Sequence, residues 1–317
     1  MGKYDEERIG DANSAIEAYM DCLKKSTEHK EAMVSLARLH QTIGNNEECS
    51  SYCQRLLKID PSNEQATFMY ANLMLVNNKH EDAIRTYSQL LDKDPDNFNT
   101  LSQLIELLRR AGRIKQVGTF LEKAEANCQR SNLAGLHFCK GLFAWHTGDP
   151  IQALKDLNVA RFDNVYGQQA RINMVSIYLN PAKEMIHSSI SDTGYSTTQK
   201  SVNMAKDLIE ELQKTNMDTS ILECNVLIAT KQKTELNLAS KTLSAILLKN
   251  SGYIPALVSM GLCKFLLGSS SDARNYLKQV IKNQYALEFA ESFEKALLLM
   301  SDYFISVNKF DLAETEL

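Results

Sequence analysis

Glycine and proline are scarce, at 13 and 5 of 317 residues, about half of the ~12% that average usage would supply. Both residues interrupt regular elements, so a chain poor in them has few breaks. Collagen, low-complexity disorder and a turn-dense β-barrel each need a bias or a supply of turn residues that is missing here. No apolar run approaches the ~18 residues of a membrane span, and the opening MGKYDEERIG lacks the apolar core of a signal peptide. A myristoylation signal fails too, because Glu6 stands where Ser or Thr is required. There is no block of basic residues. The 35 Lys and Arg against 39 Asp and Glu give a net charge of −4, so nucleic acid is disfavoured as the main partner, since a phosphate backbone calls for a basic face. The sequence reads as a soluble chain without membrane insertion.

Cysteine is present seven times, an odd count scattered from Cys22 to Cys263, and no Asn-x-Ser/Thr acceptor occurs. Both facts favour a reducing cytosol over a secreted disulfide framework. Cys49 and Cys53 stand four apart and share a helix face; as free cysteines they read as core-facing thiols rather than metal ligands.

What the chain has in plenty is repetition. A small residue followed four later by a bulky one recurs as Ala15/Tyr19, Cys49/Cys53, Ala83/Tyr87, Val117/Leu121, Ala153/Leu157, Ala205/Ile209, Ala239/Leu243, Ala273/Leu277 and Ala313/Leu317. Five of the eight intervals between first members are 34 residues, the tetratricopeptide period. Five positions before most of these anchors lies a turn-former: Gly10, Gly44, Asn78, Gly112, Gly148, Gly268 or Asn308, each able to adopt the left-handed conformation that ends a helix. Pro61 and Pro95 stop the second helix of their repeats. The spacing predicts first helices such as 32–43 and 67–76 and second helices such as 46–59 and 80–91. Each repeat is a helical hairpin whose apolar face is buried only by stacking on the next.

The motif of the tetratricopeptide repeat family is W-x2-L-G-x2-Y, then A-x3-F, then P. Leu36-Ala37, His40, Cys49, Cys53 and Pro61 occupy those places in one repeat, and Tyr70-Ala71, Met74, Ala83, Tyr87 and Pro95 in the next. The chain therefore resembles that family, although the motif Trp is absent throughout and Trp145 falls elsewhere in its repeat. The expected fold is an all-α tetratricopeptide-repeat superhelical solenoid of antiparallel helix hairpins.

Its expected organisation is a repeat array over 1–178 of about five repeats with the first truncated, a Ser/Thr-rich loop insertion within a repeat over 179–200, and a continued array over 201–317 with the last repeat truncated. The segment 180–200 is poor in apolar spacing and invites a phosphorylation reading, but loops tolerate passive insertion cheaply. A second irregularity of six extra residues falls near 284–288. Because Gly10 stands where a mid-repeat turn belongs and Leu317 falls inside a second helix, the sequence reads as part of a longer array, as a solenoid needs polar caps.

No catalytic motif is present: no G-x-S-x-G, G-x4-G-K-[ST], G-x-G-x2-G, H-E-x2-H or paired C-x2-C. The six histidines are dispersed, and His137 and Cys139, two apart on a helix, face different ways. The reading is non-enzymatic, with no cofactor, metal or small-molecule substrate. What the architecture offers is a concave surface of first helices. Aligning the repeats places Phe68, Asn72 and Leu75 on it, then Arg109 and Arg110, then Phe138, Leu142 and Trp145, and later Leu262 and Phe265. Aromatic anchors in a largely apolar lining suit an amphipathic helix or extended peptide, while a stripe at helical spacing is also what plain core packing produces. Co-chaperone versions of the fold clamp a chaperone's terminal carboxylate with Lys and Asn. Here the corresponding places hold Val34, Arg38, Met69, Asn72, Asn99 and Gln103, so that clamp is disfavoured.

Longer strings narrow the resemblance. DANSAIEAYMDCLKK, SYCQRLLKIDPSNEQATFMYANLML, LSQLIELLRRAGRI and HFCKGLFAWHTGDPIQALKDLNVARFDNVYGQQARINMVSIYLNP are similar to the C-terminal half of the tetratricopeptide repeat protein 21 family, the all-repeat subunit of intraflagellar transport complex A. The resemblance implies a protein-protein interaction scaffold of the cilium, at the axoneme and basal body. It would act in retrograde transport and cilium assembly, docked on propeller-and-repeat subunits of the same complex. The alternative is a soluble repeat adaptor or co-chaperone that binds a peptide or helix of a chaperone or degradation partner.

Overall fold

The structure is a computed structural model. It describes all residues except 1, 62, 78, 129–131, 181–198, 213–216, 284–288, 307–310 and 312–317. Among the described residues every regular element is a helix. They fall into two compact units, residues 1–147 and 148–317.

The first unit holds α1 (Gly2–Lys25), α2 (Lys30–Ile43), α3 (Asn46–Ile59), α4 (Glu64–Val76), α5 (His80–Lys93), α6 (Phe98–Arg110), α7 (Val117–Asn127) and α8 (Leu133–Thr147), with a 3-10 turn at Ile114–Gln116 leading into α7. The ends of these helices follow from local chemistry. Gly44 caps α2 at φ 83°, its N–H donating to the Gln41 carbonyl and the next N–H, of Asn45, to that of His40, and Gly112 at φ 69° turns the chain after α6. A side chain with a Cβ is strained at such angles. The side chain of Asn45 accepts from the Glu48 N–H at the start of α3, and that of Asn97 accepts from the Thr100 N–H at the start of α6. Each bond satisfies an otherwise orphaned donor. Pro61 and Pro95 follow the C-caps Asp60 and Asp94 of α3 and α5.

Gly10 is a correction. It does not turn the chain but lies within the 24-residue α1, because one glycine costs a helix interior only ~1 kcal/mol and no second stop signal accompanies it.

Stacking makes the core. Helix α2 packs on α3, α3 on α4, α4 on α5, α5 on α6, and α6 on α8. Met33, Leu36, Cys49, Cys53, Leu56 and Ala66 form one continuous buried cluster across three of these layers. Each such aliphatic side chain removed from water contributes ~1.5 to 3 kcal/mol. The ion pairs between layers, Lys30 with Asp60 at 3.0 Å and Lys123 with Asp92 at 2.9 Å, are solvent-screened and add little.

The second unit holds α9 (Pro150–Ala160), α10 (Gly167–Leu179), α11 (Gln199–Glu210), α12 (Met217–Ala229), α13 (Lys233–Lys249), α14 (Ile254–Leu266), α15 (Ser270–Lys282) and α16 (Ala290–Ser306). Asp149 caps α9 through the Gln152 N–H, with Pro150 in its first turn. Gly268 turns between α14 and α15 at φ 82°, and Lys231 does the same between α12 and α13 at φ 56°. Leu243, Leu257, Met260, Cys263, Leu277 and Ala296 join α13 to α16 in one core. The expected loop over 180–200 falls mostly on 181–198, outside the described residues, as do 284–288 and the terminal 312–317.

Candidate functional site

Helix α6 carries the most organised polar cluster of the first unit. Its buried face is Leu101, Leu104, Ile105 and Leu108, spaced at three and four residues, which turns Glu106, Arg109 and Arg110 away from the core. Arg109 donates Nε to Glu106 Oε2 at 2.9 Å and Nη2 to Oε1 at 2.6 Å. Arg110 Nε donates to the same Oε1 at 2.9 Å. Spacings of three and four bring such side chains together on one helix surface. Burial opposes ionisation of the Glu106 carboxyl, but the Arg109 and Arg110 guanidiniums outweigh it and hold its pKa below the ordinary carboxylate value.

Helix α8 packs beside α6. Its last turn places His146 Nε2 at 3.9 Å from Glu106 Oε2, and the Trp145 and His146 rings stack at 5.4 Å between centroids. The turn after α6 adds Arg113, paired with Glu81 of α5, and the exposed Lys115. The ends of α6 and α8 thus meet the starts of α5 and α7 along one edge.

The residues expected on the concave surface separate by depth. Phe68 is 40% exposed, Asn72, Arg109, Leu142, Trp145 and Phe265 are half-buried, and Arg110 is exposed. Leu75 belongs to α4, but its side chain lies outside the described residues. Phe138 and Leu262 are corrections: at 5% and 7% exposure they are core. Phe138 lies on α8 next to Cys139, whose Sγ donates to the Phe98 carbonyl of α6 at 3.4 Å. Leu262 belongs to the α13–α16 core. Leu262 and Phe265 belong to the second unit, whereas α6 and α8 belong to the first.

Of the small-residue anchors, Cys49, Ala83, Val117, Ala153, Ala205, Ala239 and Ala273 are buried, Ala15 is half-buried, and Ala313 lies outside the described residues. No group of three potential metal ligands occurs among the described residues. Cys49 and Cys53 are both fully buried. No described helix is long and apolar enough to cross a membrane.

Comparison with known proteins decides the family. The model described as TT21 fifth ARM repeats domain matches residues 64–179, and the Tetratricopeptide repeat protein 21 C-terminal ARM domain matches 204–317. Tetratricopeptide repeat protein 21B of Homo sapiens is 37% identical over 319 aligned residues, covering 96% of this chain and 24% of that protein. The chain belongs to the tetratricopeptide repeat protein 21 family. Tetratricopeptide repeat protein 21A of Mus musculus is 33% identical, again over 96% of the chain and 24% of the relative. The chain therefore spans about a quarter of the length of the curated relatives it matches. A generic tetratricopeptide repeat matches 30–63, ahead of the two models of the protein 21 family. Two solved structures share the fold at low identity. Yeast Tom70 has a TM-score of 0.59 at 11% identity, over 97% of this chain and 61% of that one. The human IFIT1 dimer with PPP-AAAA has a TM-score of 0.58 at 15% identity, over 99% and 78%. Repeats of this family make the chain a protein-interaction scaffold.

Sequence reasoning singled out Arg109 and Arg110 but missed Glu106 and His146. Glu106 was legible from its spacing to the two arginines. His146 was not, since its role depends on how α8 packs against α6.

Proposed function

We propose that the chain is a non-enzymatic scaffold within intraflagellar transport complex A, acting in retrograde ciliary transport and cilium assembly through contacts with the complex's propeller-and-repeat subunits. The observation that carries this reading is the family match over nearly the whole length of the chain, and the absence of any catalytic motif in the sequence is consistent with it. Binding on such a surface draws energy from a few aromatic and arginine anchors and specificity from the polar rim. Half-buried Trp145 and Arg109 and the exposed Arg110 are the side chains of that kind on α6 and α8.

The test is affinity purification of the tagged chain from ciliated cells, with mass spectrometry of the proteins retained. Complex A subunits should be enriched over an unrelated repeat protein, and Trp145→Ala should reduce their recovery while leaving the melting temperature unchanged. Retention of chaperones alone, without complex A subunits, would refute the assignment. An equal loss of binding and of stability would show that Trp145 acts as core.

A further inference from the structure

We infer that the turn joining α6 to α7, together with the end of α8, is a docking site for an acidic segment of a partner protein that also carries an apolar anchor. The inference rests on the scaffold reading above and names the chemistry of the partner.

Charge is the first support. Arg109, Arg110, Arg113 and Lys115 place four cations within seven residues, in a chain whose net charge is −4. Glu106 and Glu81 are the carboxylates seen paired with them, so in these pairings the four cations meet two carboxylates. The side chains of Arg109 and Arg110 remain 26% and 29% exposed while bound to Glu106. Bidentate geometry is the second support. Glu106 already holds Arg109 through two bonds and Arg110 through a third, which shows what these guanidiniums are oriented to take: a planar carboxylate. A partner carboxylate would add to, or exchange with, that internal one.

The third support is Trp145, half-buried at the end of α8 and stacked on the histidine that faces Glu106. An indole beside a cationic rim suits a peptide in which an acidic residue neighbours an aliphatic or aromatic one. Nucleic acid and anionic membranes are a poorer fit, because both are bound by extended basic faces, and this cluster is confined to a single turn.

Trp145 is the chain's only tryptophan, so its fluorescence reports directly from the site. The experiment titrates the full chain with a synthetic peptide of alternating Glu and Leu residues and with its Gln-for-Glu counterpart. The acidic peptide should produce a saturable change that weakens with salt. Affinity should fall by about tenfold or more for the Gln peptide and for the Arg109→Gln/Arg110→Gln variant. Lys115→Glu, at an exposed position, should weaken binding in the same direction. Equal binding of the two peptides, no effect of either variant, or a response to single-stranded RNA or anionic vesicles but not to the acidic peptide would overturn the inference. If titration fails while complex A subunits still co-purify, the scaffold assignment stands and this site alone falls. Peptide binding without those subunits would sink the assignment and leave the site.

Discussion

Replacing Gly135 by alanine should destabilise the protein, whereas the same replacement at Gly118 should stabilise it. Both glycines lie in first turns of helices of the same unit, Gly118 in α7 and Gly135 in α8. A Cβ added at Gly118 meets nothing within 4 Å. There the substitution removes only unfolded-chain freedom and should add ~0.5 to 1 kcal/mol of stability. A Cβ at Gly135 would stand 2.6 Å from Phe98 Cδ2 and 2.8 Å from its Cβ and Cγ. The Phe98 Cβ cannot swing aside, since it is fixed to backbone whose carbonyl accepts from Cys139 Sγ, and its ring is enclosed at 2% exposure. The helices must therefore separate. Overpacking of this kind costs ~1 to 3 kcal/mol, offset by ~1 kcal/mol of helix propensity, leaving a net loss of up to about 2 kcal/mol. For a chain of 317 residues that is a fall of up to about 3 °C in melting temperature. Calorimetry on the two variants checks it. If Gly135→Ala melts at or above the parent temperature, or if both variants shift the same way, the described approach of α8 to α6 is wrong.

The remaining predictions concern protons and thiols. Glu106 has a folded-state pKa below its ordinary value, so its contribution to stability is present above the ordinary glutamate range near ~4.3 and is lost as pH falls through the lower folded value. The difference in urea midpoint between the parent and Glu106→Gln should accordingly shrink below about pH 4.3; a difference that grows on acidification would contradict it. Of the seven cysteines, five are buried, and burial pushes the Cys224 thiol up to about 12. A thiol reagent at mildly alkaline pH should label only half-buried Cys22 and Cys128 before unfolding, so a third fast-reacting thiol would count against the core described.

How much of this was legible in the sequence depended on whether a feature is local. Gly44, Gly112, Gly148 and Gly268 all take positive φ, as their place before each anchor implies, because a left-handed turn is decided within a few residues. Lys231 takes one as well without any glycine to announce it, since the packing of α12 on α13 imposes the turn. Gly10 gave the opposite error, a turn residue absorbed into α1. Depth was the least legible property. The spacing of Phe138, Leu142 and Trp145 puts them on one side of α8, but only the packing of that helix determines that the first is enclosed and the last half-buried. The Glu106 cluster was half visible: its arginines were noticed, its carboxylate partner lay in plain spacing, and its histidine required the fold.

The helix pairings described here join elements adjacent or next but one along the chain. Most of these pairings close only short loops, which carry a small entropic cost and favour fast formation; the connection from α10 to α11 is the longer exception. During synthesis, a hairpin within either unit would find its packing surface soon after the following one emerged, about 34 residues later in most of the repeats. At no stage would a long stretch of apolar helix wait, exposed to aggregation, for a distant partner to be made.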